Sequence, residues 1–336
     1  MAGGEAVRNQ ARRLTLMRDA PEAIEGRPQG GVRTSLISRF WRRLPVVVRA
    51  VVVGCLVLTA GGLLTGPLLF ANITFYPAVP WSVPLLAGYL WFFWQYLRGR
   101  WWPRSTADAR REGLRANPLS SRVWRWALLA GYLAMGSSYA LHWVVGRLTP
   151  LNFAIPALLE QLPPFTLISI LLMASVVAGI VEEAAFRGFM QGPIEKRHGV
   201  VAAIAVVSIV FGSAHLTDWQ PSMTAARMGF IVLASIVYGI MAYLTNSILP
   251  GVVLHATGDA IGIVWIWWLS QRPRGPVPPR GFAGASADPQ FWMNCSIALI
   301  LGLTAVLAFR RLAAVTSRPS APDSRRTRSG TRPPSG

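Results

Sequence analysis

Apolar residues run along this chain in eight blocks, at 46–70, 81–97, 123–146, 165–191, 199–216, 226–245, 249–270 and 290–309. Such blocks approach the roughly 20 residues that a helix needs to cross a hydrocarbon core, and a helix that is apolar all round must be surrounded by protein or lipid. The pattern predicts an all-α, polytopic helical membrane protein of about eight transmembrane helices. The stretches 1–45 and 316–336 are rich in Arg, Pro, Gly and Ser and too poor in apolar residues to build a core. They read as basic disordered tails around a helical membrane domain at 46–315. No convincing internal repeat is present.

Composition agrees, since 52% of the 336 residues are hydrophobic and 14% are charged, against roughly 25% charged in soluble domains. The net charge of +19 would suit a nucleic acid, but the arginines cluster beside apolar spans. That layout points to anionic lipid and to positive-inside topology, with no nucleic-acid partner. An even number of spans puts both Arg-rich termini on one side, read as cytoplasmic. The loop after the second span carries Arg98, Arg100, Arg104, Arg110, Arg111, Arg115, Arg122 and Arg125, whereas 71–80 has no charge. Arg272, Arg274 and Arg280 break the rule mildly. Lys196 is the sole lysine, a usage that suggests a GC-rich bacterial genome and hence a plasma-membrane location. No apolar signal core precedes the first span, which is expected to stay as an anchor. Cys55 and Cys295 lie in apolar segments and suggest neither a disulfide nor a Cys-based metal site. Asn72-Ile73-Thr74 and Asn294-Cys295-Ser296 match the glycosylation pattern, which is short enough to arise by chance.

Inside the spans the acids and histidines are Glu182, Glu183, His142, His215, His255 and Asp259. Intramembrane charge is costly and marks function by default. Successive helical residues are about 100 degrees apart, so Glu182 and Glu183 cannot point at one spot. Glu183 and Arg187 share a face at i, i+4 with the acid first, the favoured order for an ion pair, which leaves Glu182 for chemistry. His255 and Asp259 repeat the i, i+4 spacing, so that both could reach one cavity or Asp259 could fix the imidazole's tautomer. A carboxylate with two histidines can bind a divalent metal such as zinc that activates water, with Glu182, His215 and His255 as its ligands. Alternatively it can act as general base with the histidines as electrophilic partners. His142 and His198 have no such setting and read as structural.

Three segments in order, Glu182-Glu183-Ala184-Ala185-Phe186-Arg187, Phe211-Gly212-Ser213-Ala214-His215 and His255-Ala256-Thr257-Gly258-Asp259, resemble the EExxxR, FxxxH and HxxxN motifs of the CAAX prenyl protease and bacteriocin-processing family, the type II CAAX protease or ABI family. The resemblance covers about 165–270, spans four to seven, and includes Arg187-Gly188-Phe189-Met190-Gln191. It implies an intramembrane endopeptidase acting on a membrane protein or peptide, with Glu182 activating water, Glu183 and Arg187 in support, and His215 and His255 binding a metal or polarising water and oxyanion. Asp259 stands where the family has Asn, and an ionised carboxylate cannot donate to an oxyanion.

Two other readings remain for the same groups: a transporter or channel coupling protons or cations, and a scaffold without activity. The span boundaries also leave Glu182 and His255 near the cytoplasmic ends of their helices and His215 near the far end of its own. Either 192–199 dips into the membrane or the boundaries are displaced.

Overall fold

The computed structural model describes residues 36–148, 161–218, 225–270 and 281–317. It divides into two units, Met1–Leu44 and Pro45–Gly336. In the first, Leu36–Arg43 (α1) is a helix within the stretch expected to be a disordered tail. The rest of that tail, the C-terminal tail from 318 and the loop with Arg272, Arg274 and Arg280 lie outside the described residues.

The second unit contains Val46–Gly62 (α2), Thr65–Phe75 (α3), Ser82–Leu97 (α4), Ala107–Leu114 (α5), Ser121–Leu148 (α6), Pro164–Glu182 (α7), Gln191–His198 (α8), Val200–Ala214 (α9), Ala225–Thr245 (α10), Leu249–Ser270 (α11), Gly281–Ser286 (α12) and Pro289–Thr316 (α13). Glu183–Met190 between α7 and α8 is a π-helix, so 164–198 is one continuous helical rod. Val46–Phe75, Ser121–Leu148, Pro164–His198, Arg227–Thr245 and Pro289–Thr316 are each long and apolar enough to cross a membrane, and Val200–Ala214 and Leu249–Trp265 are shorter apolar helices. The chain is an integral membrane protein, all-helical among the described residues.

Two boundaries differ from those read in the sequence. The first apolar block continues past 70 to Phe75, where Asn72 is fully buried. Its side-chain amide donates to the carbonyls of Tyr76 and Val79, both at 2.9 Å, and its Oδ1 accepts from Ser82 N at 3.0 Å and Ser82 Oγ at 2.8 Å. Asn72 thus closes the α3–α4 hairpin and is no glycan acceptor. The fourth span runs on to His198 instead of ending at 191, because 192–198 simply continues the helix. The chain reverses at Gly199, whose φ of +83° is a conformation that glycine adopts without steric cost. Glu182 lies 17 residues before Gly199 (199 − 182) and His215 lies 16 after it (215 − 199). At about 1.5 Å rise per residue both sit about 25 Å from the turn, and the depth mismatch disappears.

Lipid is as apolar as leucine, so helices in a bilayer gain by close backbone approach at small residues. Gly54 of α2 faces Met190 and the Ala185 carbonyl, Gly131 of α6 faces Leu254, and Gly179 of α7 packs on the backbone of Val252 and Ala256 in α11. Helix α13 packs along α6, where Ser137 Oγ donates to the Ala298 carbonyl at 2.7 Å.

The Arg-rich segment after α4 works partly as a strut. Arg110 is buried and donates to the carbonyls of Tyr96, Pro103 and Trp101 at 2.8, 3.1 and 2.6 Å. Buried Arg115 reaches Glu195 Oε2 and the Ala242 carbonyl, both at 3.2 Å, while its own carbonyl accepts from Ile248 N at 3.1 Å. One residue therefore ties α8 to the α10–α11 turn. Exposed Lys196 pairs with Glu112 and holds its carboxyl below the usual glutamate range.

A methyl group on Gly179 would lie 2.9 Å from backbone atoms of α11, whereas Gly62 faces open space. Gly179→Ala is expected to destabilise the domain by about 1–3 kcal/mol, as overpacking does, and Gly62→Ala to leave it unchanged. Thermal unfolding of both variants in detergent measures the difference, and equal midpoints would contradict this packing.

Candidate active site

Residue Glu183 is the centre of the polar cluster, and the π-helix sets its direction. A π segment widens the turn and re-aims the side chains that follow; here it spans Glu183 to Met190 with both members of the ion pair inside it. Glu183 Oε1 lies 3.0 Å from Arg187 Nη1 and 3.0 Å from His255 Nδ1, and the side chains of Glu183 and Arg187 are 0% exposed. Gly251 of α11 makes room for this carboxylate, since a Cβ there would stand 2.6 Å from Glu183 Oε2.

Arg187 is clad on several sides. Its Nη2 donates to Ser235 Oγ at 3.0 Å and to the Ser235 carbonyl at 3.2 Å. Its guanidinium lies 4.7 Å from the Phe211 ring centroid and 5.0 Å from that of Tyr238. Aromatic faces attract a desolvated cation by cation–π interaction. A buried charge is tolerated only when paired and hydrogen-bonded in this way.

With Glu183 accepting, the Nδ1 of His255 is assigned the proton and its Nε2 faces Glu182 and Asp259. That nitrogen lies 3.8 Å from Glu182 Oε2 and 3.6 Å from Asp259 Oδ2. Glu182 is 21% exposed and Asp259 41%, while His255 is 6% exposed. Glu182 Oε2 is buried without a hydrogen-bond partner among the described residues. His215 caps α9, with Nδ1 2.8 Å from the Phe211 carbonyl and its ring 4.7 Å from the Phe211 ring. The Phe211 ring bridges the two histidines, 4.7 Å from the ring of His215 and 6.3 Å from that of His255. Glu182, Glu183, Arg187, His215, His255 and Asp259 therefore form one cluster, drawn from α7, the π segment, the C-terminal cap of α9 and α11. His142 stands apart on α6 against Phe230, with centroids 5.8 Å apart, and His198 ends α8.

Among the described residues no three His, Cys, Asp or Glu side chains are gathered closely enough to hold a metal ion. The donors Glu182, His215 and His255 thus do not gather into a ligand set. Sequence reasoning missed Ser235, Tyr238 and Gly251. The sixth span did carry a signal, because Ser235, Tyr238, Gly239 and Ala242 are polar or small at helical spacing, the composition of a helix–helix contact in a membrane.

An acidic, histidine-lined cluster buried among membrane helices is the setting of an intramembrane hydrolase. Residues 164–261 match the family Rce1-like, type II CAAX prenyl endopeptidase Rce1-like. All six cluster residues fall inside the matched stretch. The match supports, in general terms, a CAAX-type intramembrane endopeptidase. No curated protein and no solved structure matches the chain.

Removing either member of a buried ion pair strands its partner, at a typical cost of about 3–5 kcal/mol. Glu183→Ala and Arg187→Ala should each destabilise on that scale, and the double variant by less than their sum. A thermal double-mutant cycle tests the coupling, and strict additivity would show that the pair contributes nothing.

Proposed function

We propose that the chain hydrolyses a peptide bond of a membrane-associated protein or peptide, with Glu182 as general base. The observation that carries this reading is the division of labour within the Glu pair. One oxygen of Glu183 is engaged by Arg187 and His255, each at 3.0 Å, and its side chain is 0% exposed, whereas Glu182 is 21% exposed beside the same imidazole.

Glu182 removes a proton from water as the water oxygen bonds to the scissile carbonyl carbon, and the C=O pair moves onto oxygen. With Nδ1 of His255 donating to Glu183 and Nδ1 of His215 to the Phe211 carbonyl, each ring donates from Nε2 to the resulting oxyanion as the imidazolium, and preorganised donors in a water-poor site stabilise such charge strongly. Collapse breaks the C–N bond, and the proton held by Glu182 passes to the departing amine. When ionised, Asp259 can only accept hydrogen bonds. Its role is to orient His255 or the attacking water, in place of the amide donor found in related motifs.

The substrate enters from the membrane, and anionic lipid contacts the exposed Arg98, Arg100, Arg104, Arg111, Arg122 and Arg125. The contacts of Arg115, Asn117 and Lys196 with Glu195, Asn246 and Glu112 gather these arginines, the Gly199 turn and the α10–α11 turn at one end. That end is the cytoplasmic one under the positive-inside rule, with both termini on its side of a bacterial plasma membrane.

Glu182→Ala should lower turnover of a quenched fluorescent peptide library in proteoliposomes by about 10²–10⁴-fold, the usual worth of a general base, while the protein still folds. Full turnover in that variant would sink the assignment. Activity is expected to survive chelation. Its loss on chelation and return with zinc would transfer the water-activating role to a metal. Binding to anionic vesicles should weaken as salt screens the arginines, and indifference to salt would remove the lipid contact.

A further inference from the structure

One hydrogen bond does not fix an imidazole plane. Glu183 holds Nδ1 of His255 at 3.0 Å, but the ring can still tilt about that contact and swing Nε2 away from Glu182. A second surface is present on α10. The Tyr238 ring lies parallel to His255 within 14°, with centroids 4.8 Å apart, and Tyr238 is 3% exposed. Across from it, Phe211 meets His255 edge-on at 6.3 Å and 61°.

Tyr238 is itself anchored. The Arg187 guanidinium lies 5.0 Å from its ring centroid, and one turn earlier Ser235 accepts twice from the same guanidinium. Glu183, Arg187, Tyr238 and His255 therefore close a ring of contacts around the buried carboxylate. Offset-stacked aromatic pairs at such separations are favoured over other arrangements, which makes the stack directional and not only space-filling.

Resting on the general-base reading, we propose that Tyr238 is a positioning residue for the hydrolysis: the face of its ring, and not its hydroxyl, sets the plane of His255 so that Nε2 faces Glu182. The ring is the working part because it supplies the parallel face. A small misplacement of a catalytic group costs rate more than binding, so the defect belongs in kcat.

The test uses the full chain in proteoliposomes with a quenched peptide that the wild type cleaves, alongside imidazole NMR of histidine-labelled protein. Wild type should show one histidine shifted upfield by the ring current of Tyr238, assigned to His255 by its loss in His255→Gln. Tyr238→Leu should lose that shift and lower kcat by about 10-fold or more with KM nearly unchanged. Tyr238→Phe, which keeps the ring, should restore both. Tyr238→Met serves as the second ring-free variant if the leucine protein does not fold.

Wild-type kcat in a folded ring-free variant would overturn the proposal, as would a Phe variant as impaired as Leu, or a KM that rises as kcat falls. Absence of the upfield shift in wild type would overturn it without any activity measurement. Full activity of Glu182→Ala with the histidine shift intact would instead remove the general-base reading and leave the stack standing.

Discussion

A single carboxylate oxygen, Glu183 Oε1, lies 3.0 Å from both Arg187 and His255, and the membrane domain is arranged around keeping that contact dry. A guanidinium without countercharge inside a bilayer would carry a penalty larger than most single contacts can offset. A carboxylate without partners would carry one as well. Together they impose requirements on their neighbours. Serine and two aromatic rings must meet the guanidinium, a glycine must stand at 251, and the π-helix must turn both side chains the same way. Buried ion pairs are weak stabilisers in themselves. What this one contributes is specificity, since it brings α9, α10 and α11 to the same helix.

The division between Glu182 and Glu183 follows from that arrangement. The two are adjacent in sequence, yet one is sealed among helices and the other is partly exposed. A chemical base needs a carboxylate that water can reach, whereas a structural carboxylate must be sealed from it. The helix rotation between neighbouring residues supplies both from one dipeptide, and His255 touches both environments through its two ring nitrogens.

The helical class, the eight apolar blocks and the six cluster residues were legible in the sequence because each rests on a local signal. Apolar runs report spans, and charged or histidine residues inside them are rare enough to stand out. The i, i+4 relation of Glu183 and Arg187 was readable for the same reason. The end of the fourth span was not, because Gln191-Gly192-Pro193-Ile194-Glu195-Lys196-Arg197-His198 is polar and contains proline and glycine. A hydropathy window ends where the membrane does, while the helix continues beyond it. Tyr238 escaped notice because a tyrosine in an apolar span looks like packing until its plane is known. Asn72 matched a modification pattern and proved to be a hairpin closure, a role visible only once Ser82 lies beside it.

The π segment does more than aim two side chains. A continuous α-helix has one register, so a shift at one end is transmitted to the other. Eight residues of wider turn between Glu182 and Gln191 separate the rod into two halves with independent phase. Pro164–Glu182 can be fitted to Leu249–Ser270 and Gln191–His198 to Val200–Ala214 without either fit dictating the other. A single rod thereby belongs to two different packing lattices, and the polar cluster sits at the seam where they meet.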